Sequence, residues 1–302
     1  MSSYEIIIFY KYTPIEKPKR FMDFHRELCI LLGLTGRVLI AKEGINGTLE
    51  GKIEAIAAYE KRMREEDGRE GTHGNFSDLW FKHSLGTGNA FPKLKIKVRD
   101  EIVTLGLGKE GDIDPNKVTG THLKPEELKE WLANGEDVTI IDMRNDYEYN
   151  VGHFAGSINP KLDNFRDLAE TLPTLEHLKD KKVLTVCTYG VRCEKASGFL
   201  KEKGFNNVYQ LDGGIGSYMK KYPGEDFNGS LFVFDNRLLE RFTDEYEVVG
   251  KCERCDAKSE EMTNCTNAEC HRKMIVCLPC QNEDAHVVCN TSCEAVTPLA
   301  IA

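Results

Sequence analysis

No apolar run in this 302-residue chain is long enough to cross a bilayer, so a helical membrane protein is not expected. The opening Met1-Ser2-Ser3-Tyr4-Glu5, followed by Ile6 to Tyr10, has neither a basic start nor the apolar length of a secretory signal. A soluble, cytoplasmic protein is therefore the expectation. No internal repeat or low-complexity tract stands out, which sets aside a repeat architecture. No haem, flavin or non-haem iron motif is visible, so no organic cofactor is expected. Positive charge is also short: the net charge is -9, which argues against generic nucleic-acid binding. The deficit is uneven, however. Residues 1–124 carry 20 Lys and Arg against 18 Asp and Glu, whereas the remainder carries 20 against 31. A basic patch, if there is one, belongs in the first part.

The length favours several domains, each with its own core. Cysteine usage divides the chain in a similar way. Cys29 is alone in an apolar helix and reads as core, Cys187 and Cys193 form a close pair, and eight more crowd between Cys252 and Cys293.

Residues 4–12 read as a buried strand, Phe21 to Leu32 as a helix ending at Gly33, and Gly36–Lys42 and Gly47–Gly51 as strands around the turn Glu43-Gly44-Ile45-Asn46-Gly47. A helix from Ile53 to about Glu66 follows, then strands near Leu79–His83 and Leu94–Val98. The order β-α-β-β-α-β predicts a ferredoxin-like (acylphosphatase-like) α+β domain over residues 1–105. In the last strand Lys93, Lys95, Lys97 and Arg99 alternate with apolar residues, so four cations share one face. That stripe is a candidate phosphate-contacting face; an edge strand whose lysines block aggregation is the other reading.

Residues 106–124 are Gly-, Asp-, Lys- and Thr-rich and read as a linker. From residue 125 to 226 helices and short apolar runs alternate: helix Pro125–Ala133, strand Val138–Asp142, strand Lys182–Cys187, helix Glu194–Lys203, strand Val208–Leu211. That spacing predicts an α/β domain with a parallel sheet. Cys187 falls between a strand end and a helix start, a place that favours anions. Gly190 lets backbone amides turn inward, and Arg192 adds a cation. These features favour a thiolate at Cys187 able to carry sulfur as a persulfide, with Tyr189, Gly190, Val191 and Arg192 forming the anion-stabilising loop. A buried inert thiol is the common alternative for a lone cysteine, but the strand-loop-helix context speaks against it. Cys193, just past the arginine, is a candidate resolving thiol or second sulfur carrier; a small helix-cap residue is the competing reading.

Ile140-Ile141-Asp142-Met143-Arg144 with Glu148-Tyr149, then Gly152-His153-Phe154-Ala155-Gly156-Ser157-Ile158-Asn159, the loop Cys187–Arg192, and Leu211-Asp212-Gly213-Gly214-Ile215 together resemble a rhodanese domain. By that resemblance Asp142 and His153 are structural rather than catalytic. Cysteine-dependent phosphatases of this architecture place an arginine six residues after the cysteine, where this chain has Cys193, so a phosphatase is not expected. With Gly36-Arg37-Val38-Leu39-Ile40-Ala41-Lys42-Glu43-Gly44-Ile45-Asn46-Gly47-Thr48 in front, Arg192-Cys193-Glu194-Lys195 after the loop and a cysteine-rich tail behind, the chain is similar to the rhodanese-related tRNA uridine hydroxylases. The resemblance implies oxygen-dependent 5-hydroxylation of the wobble uridine of tRNA. Molecular oxygen is then co-substrate, the anticodon region of tRNA is the partner, Cys187 carries a persulfide intermediate, and Lys93, Lys95, Lys97 and Arg99 with the Asn46-Gly47 turn become candidate RNA contacts. The family loop reads Cys-Thr-Gly-Gly-Ile-Arg-Cys; here Tyr189 and Val191 depart from it, and the tyrosine either narrows the cup or offers a stacking face to a base.

The tail, residues 227–302, reads Cys252-x2-Cys255-x9-Cys265-x4-Cys270, then Cys277-x2-Cys280-x8-Cys289-x3-Cys293, with His271 and His286 between. Paired cysteines of this spacing in a reducing compartment point to structural zinc over disulfides or free thiols, for up to two ions. Spacing does not assign ligands to ions. Two other functions fit the same residues: a sulfurtransferase moving sulfane sulfur through Cys187, and a non-enzymatic thiol switch using Cys187 and Cys193. Nothing in the sequence sets the oligomeric state.

Overall fold

The segment Tyr4-Glu5-Ile6-Ile7-Ile8-Phe9-Tyr10-Lys11-Tyr12 is rich in β-branched and aromatic residues, and it forms one strand, β1, over its whole length (Tyr4–Tyr12). In the computed structural model, which describes residues 3–65, 75–108, 111–284 and 286–294, the chain divides into two units. One comprises residues 1–120, 191–203 and 234–238; the other comprises 121–190, 204–233 and 239–302.

In the first unit β1 is followed by α1 (Pro18–Leu31), β2 (Thr35–Ala41), β3 (Gly44–Lys52), α2 (Ile53–Glu65), β4 (Lys82–Leu85) and β5 (Leu94–Val98). Helix α1 starts three residues before the expected Phe21, because Pro18 sits at its first position, where a missing N–H costs nothing. It stops at Gly33, whose left-handed φ of 64° lets the Leu34 N–H reach the Cys29 carbonyl and the Gly33 N–H reach that of Ile30. The turn between β2 and β3 is tighter than expected: β3 already begins at Gly44. The end expected for α2, Glu66, lies outside the described residues.

The sheet order β4-β1-β3-β2-β5 contains the ferredoxin-like order in its first four strands. The fifth, β5, is added at the β2 edge and runs parallel to it. Both helices pack on one face, where Ile7, Phe9, Val38, Ile40, Leu49 and Ile96 meet Phe21, Cys29, Ile56 and Tyr59. Cys29 is core, as expected, and burial pushes its thiol up to about 12.

The second unit holds a four-stranded sheet of order β6-β10-β9-β7, parallel throughout, built from β6 (Thr121–Leu123), β7 (Val138–Asp142), β9 (Lys182–Val186) and β10 (Asn207–Leu211). Helices α3 (Pro125–Ala133), α4 (Asp146–Val151), α5 (Leu168–Leu175) and α7 (Gly214–Lys221) accompany it, and β8 (Gly152–Phe154) pairs with β11 (Phe227–Gly229). This is the rhodanese α/β fold. Strand β6 forms within the stretch read as linker, because its buried Leu123 completes the sheet beside Leu211. Between β9 and β10 the chain makes α6 (Val191–Glu202), which belongs to the first unit. It starts at Val191, three residues ahead of the sequence expectation, so Arg192 and Cys193 are inside its first turn.

Two short strands, β12 (Leu231–Phe232) and β13 (Leu239–Glu240), precede the cysteine-rich region. That region contains one hairpin, β14 (Met262–Asn264) with β15 (Lys273–Ile275), and two short helices, α8 (Leu278–Glu283) and α9 (Thr291–Glu294). Among the described residues no helix is long and apolar enough to cross a membrane.

Candidate functional site

Strand β9 carries four consecutive buried residues, Val183 to Val186, and delivers the chain to Cys187, which is 1% exposed. The loop then turns back on itself. Gly190 adopts φ 101°, a conformation that side chains rarely take, and its N–H donates to the Cys187 sulfur at 3.2 Å.

The carbonyls of the loop are held on the other side. The N–H groups of Ile215 and Gly216, at the start of α7, donate to the carbonyl oxygens of Cys187 and Thr188 at 2.9 and 3.1 Å. Gly214 makes this approach possible: a Cβ there would lie 2.6 Å from the Cys187 carbonyl oxygen and from the Tyr189 Cα. With the carbonyls tied down, the amide edge of the loop is left to face the sulfur. Two side-chain bonds steady the loop further. The Thr188 hydroxyl donates to Glu148 at 3.3 Å, and the Tyr189 hydroxyl donates to Glu240 of β13 at 2.6 Å. Tyr189, one of the two departures from the family loop, is thus buried and anchored on a carboxylate.

Asp142 and His153 are each held by neighbours of the same unit. Asp142 and Arg144 are both buried, with Arg144 Nη2 2.6 Å from an Asp142 carboxylate oxygen and 2.6 Å from the Gly152 carbonyl oxygen. The pair pins the end of β7 to β8. His153 stacks on Tyr149 with ring centroids 4.0 Å apart, its Nδ1 2.9 Å from the Tyr149 carbonyl oxygen.

The remaining loop residues lie on α6. Val191 packs with Tyr12, Ala41 and Ile102, and its carbonyl oxygen accepts the Tyr12 hydroxyl at 3.2 Å. Arg192 lies over the Phe234 ring, 5.7 Å from its centroid, and Cys193 is buried. Lys195, which sequence reasoning did not single out as a site residue, is fully buried. Its ammonium lies 2.8 Å from Glu43, 2.7 Å from Glu101 and 2.8 Å from Asp112. Burial works against its charge, but the three carboxylates outweigh it and hold the ammonium above its usual value. Burial also raises the Glu43 carboxyl, against the pull of Lys195. The Tyr10 hydroxyl donates to Glu194 at 3.2 Å, so the first turn of α6 is gripped from several sides.

The stripe Lys93, Lys95, Lys97 and Arg99 lies along β5, with Leu94, Ile96 and Val98 on the opposite face.

In the tail the structure gathers the cysteines into two groups, which spacing could not assign. Cys252, Cys255, Cys277 and Cys280 form one group and Cys265, Cys270, Cys289 and Cys293 another, the sulfurs of each within 4.8 Å of one another. The groups interleave: the first and third cysteine pairs fall in one, the second and fourth in the other. No disulfide is present among the eleven cysteines. Sulfurs at 3.5 to 3.6 Å, as for Cys255–Cys277, Cys270–Cys289 and Cys289–Cys293, are close to the edge of a tetrahedron with metal-sulfur bonds of about 2.3 Å. They are far beyond a disulfide bond of about 2.0 Å. Each set is all sulfur, the donor chemistry of a structural zinc site; His271 and His286 belong to neither. The small core here consists largely of these same cysteines with Met274, Val276 and Val287. At Cys252 burial opposes the anion, but the N–H groups of Cys277, Arg254 and Cys255 prevail and hold the thiol at about 6.

Comparison with known proteins agrees with this architecture. Residues 4–102 match the family model of the UPF0176 acylphosphatase-like domain, residues 124–221 that of the rhodanese-like domain, and residues 228–294 that of the rhodanase C-terminal region. A protein of Bacillus licheniformis named tRNA uridine(34) hydroxylase is 42% identical over 94% of this chain and 85% of its own length. Proteins of the same name from Cytophaga hutchinsonii and an Arthrobacter species are 39% and 40% identical, over 97% and 98% of this chain and 91% and 100% of their own lengths. With a curated relative of this identity over nearly the whole length, the chain belongs to the tRNA uridine(34) hydroxylase family.

Proposed function

We propose that the protein hydroxylates C5 of the wobble uridine in the anticodon of tRNA. One atom of molecular oxygen becomes the hydroxyl group, the other leaves as water on taking two electrons and two protons from an external reductant such as a thiol, and Cys187 bears a persulfide during the cycle. The observation that carries this reading is the Gly190 N–H aimed at the Cys187 sulfur, in a loop whose carbonyls are tied away from it. A backbone donor at that distance stabilises an anionic sulfur or persulfide without a side chain that must itself titrate. Tyr189, Gly190, Val191 and Arg192 complete the loop, and Cys193 is the candidate resolving thiol. Family membership supports tRNA as the substrate.

In the same reading residues 1–105 form the RNA-positioning domain, 106–124 the linker, 125–226 the rhodanese domain and 227–302 a tail folded around two zinc ions, one on each set of four cysteines. The tail's zinc is structural, since four thiolates leave no open position. The protein works in the cytoplasm, where its tRNA is found.

Mass spectrometry of tRNA nucleosides from cells lacking the protein tests the reading. Loss of 5-hydroxyuridine derivatives, restored by the wild type and not by Cys187→Ser, is the expected result. Their persistence in the deletion strain would show that another activity makes them.

A further inference from the structure

The sheet of the first unit has one face covered by helices and another that carries positive charge. On this second face the register sets Arg37 of β2 beside Lys95 of β5 and Leu39 beside Lys97, with Thr48 of β3 on the other side of Arg37. Lys93 and Arg99 continue the file at either end of β5. Arg37, Lys93, Lys95 and Arg99 are exposed and Lys97 is partly so.

None of these five cations makes an ion pair with a carboxylate among the described residues. The strands place a single carboxylate on this face, Glu50, which is buried and accepts the amides of Thr87, Gly88 and Ala90 at 2.7 to 2.8 Å. The charges are therefore left to repel one another; Lys95 and Arg99 push the Lys97 ammonium below its ordinary value. Like charges side by side across strands destabilise a sheet, so retaining them calls for a reason.

Protection of an exposed edge accounts for lysines on β5, which is the last strand of the sheet. It does not account for Arg37. β2 is an interior strand, paired on both sides, and has no edge to protect. An exposed arginine there, in register with Lys95, widens the stripe into a patch two strands across.

We infer that this patch, centred on Arg37, Lys95 and Lys97, is the surface on which the phosphate backbone of the RNA substrate docks. The inference rests on the proposed function for the identity of the anion. A row of strand cations with a second row beside it suits a polyanion that runs along the strand, and Arg37 adds a planar guanidinium suited to paired contacts with phosphate oxygens.

The test is fluorescence anisotropy of an unmodified tRNA transcript with the full-length protein at several potassium chloride concentrations. It compares the wild type with Arg37→Gln, Arg37→Lys and the double variant Lys95→Gln/Lys97→Gln. Each cation removed is expected to reduce the slope of log Kd against log salt by about one, whereas Arg37→Lys keeps it. The unfolding midpoint and persulfide formation at Cys187 from thiosulfate stay at wild-type values, showing that the fold and the loop are intact. Unchanged slopes in Arg37→Gln and the double variant, with the wild type binding and hydroxylating normally, would overturn the inference and leave the function standing. Altered slopes in a protein that never hydroxylates the bound tRNA would support the docking face and overturn the reaction. Wild-type protein that fails to bind tRNA at every salt concentration would overturn both, and would point to an acidic protein as the occupant.

Discussion

The ammonium of Lys195 stands 2.7 Å from a carboxylate oxygen of Glu101, 94 positions earlier in the chain, and Glu43 and Asp112 close around it at 2.8 Å. Lys195 follows three residues after Arg192 on the same helix, so this buried cluster fixes the first turn of α6. Lys195→Met leaves three carboxylates without their counter-charge and should cost about 3 kcal/mol in urea unfolding near pH 7. The difference from wild type should shrink near pH 4, where carboxylates begin to take up protons. A variant as stable as the wild type at both pH values would show that the cluster does not hold the helix.

The Tyr189 hydroxyl and Glu240 make a second testable pair. Tyr189→Phe removes the donor to a carboxylate 2.6 Å away and should destabilise the protein by about 1–2 kcal/mol. Alkylation of Cys187 should become faster, because the loop loses one of its anchors. Unchanged alkylation kinetics would show that the loop is held by its backbone alone.

Interleaved ligation makes a specific prediction for metal content. The wild type should carry two zinc ions per chain, one for each set of four sulfurs. Cys252→Ser and Cys277→Ser, alone or together, should lose the same single ion. Cys252→Ser combined with Cys265→Ser should lose both, as read by elemental analysis of the purified protein. Equal zinc loss for the two double variants would refute the pairing. Chelation should also unfold the tail, whose core is built mainly from the ligands.

His25 predicts an acid-sensitive first unit. Burial lowers its imidazole to about 3, and its Nε2 lies 2.8 Å from the Tyr59 hydroxyl. In the unfolded chain the ring takes its proton near 6.5. Between those values the unfolded state binds more protons, so stability is lost as the pH falls from about 6.5 towards 3, by about 2 kcal/mol at pH 5. His25→Gln keeps an acceptor for Tyr59 but does not titrate. Its stability should fall less over that range in denaturant titrations; an identical pH dependence would rule the histidine out.

Much of this was legible in the sequence, for identifiable reasons. β1, β5, α3 and β7 follow their expected spans because an apolar run, strict alternation, or a proline at a helix start is a local signal. The contact of the Gly190 N–H with the Cys187 sulfur is readable because its two partners lie within a few consecutive residues. Helix α6 starts three residues ahead of its expected Glu194: Val191-Arg192-Cys193 carries no capping signal, and the turn is secured by Tyr12 and Lys195 through partners far along the chain. The Lys195 cluster was invisible for the same reason. Arg37 alternated correctly in its strand, but its kinship with Lys95 needed the parallel pairing of β2 with β5. Cysteine spacing does not say which of the eight belong together; the fold of the hairpin and short helices brings their sulfurs into two groups of four.

The most direct test of the central claim is hydroxylation of unmodified tRNA by the purified protein under isotopically labelled dioxygen, read by nucleoside mass spectrometry. The wild type is expected to place one labelled oxygen on the wobble uridine, and Cys187→Ser, folded and still able to bind tRNA, none. Labelled product from Cys187→Ser, or wild-type product whose oxygen comes from water, would contradict the account.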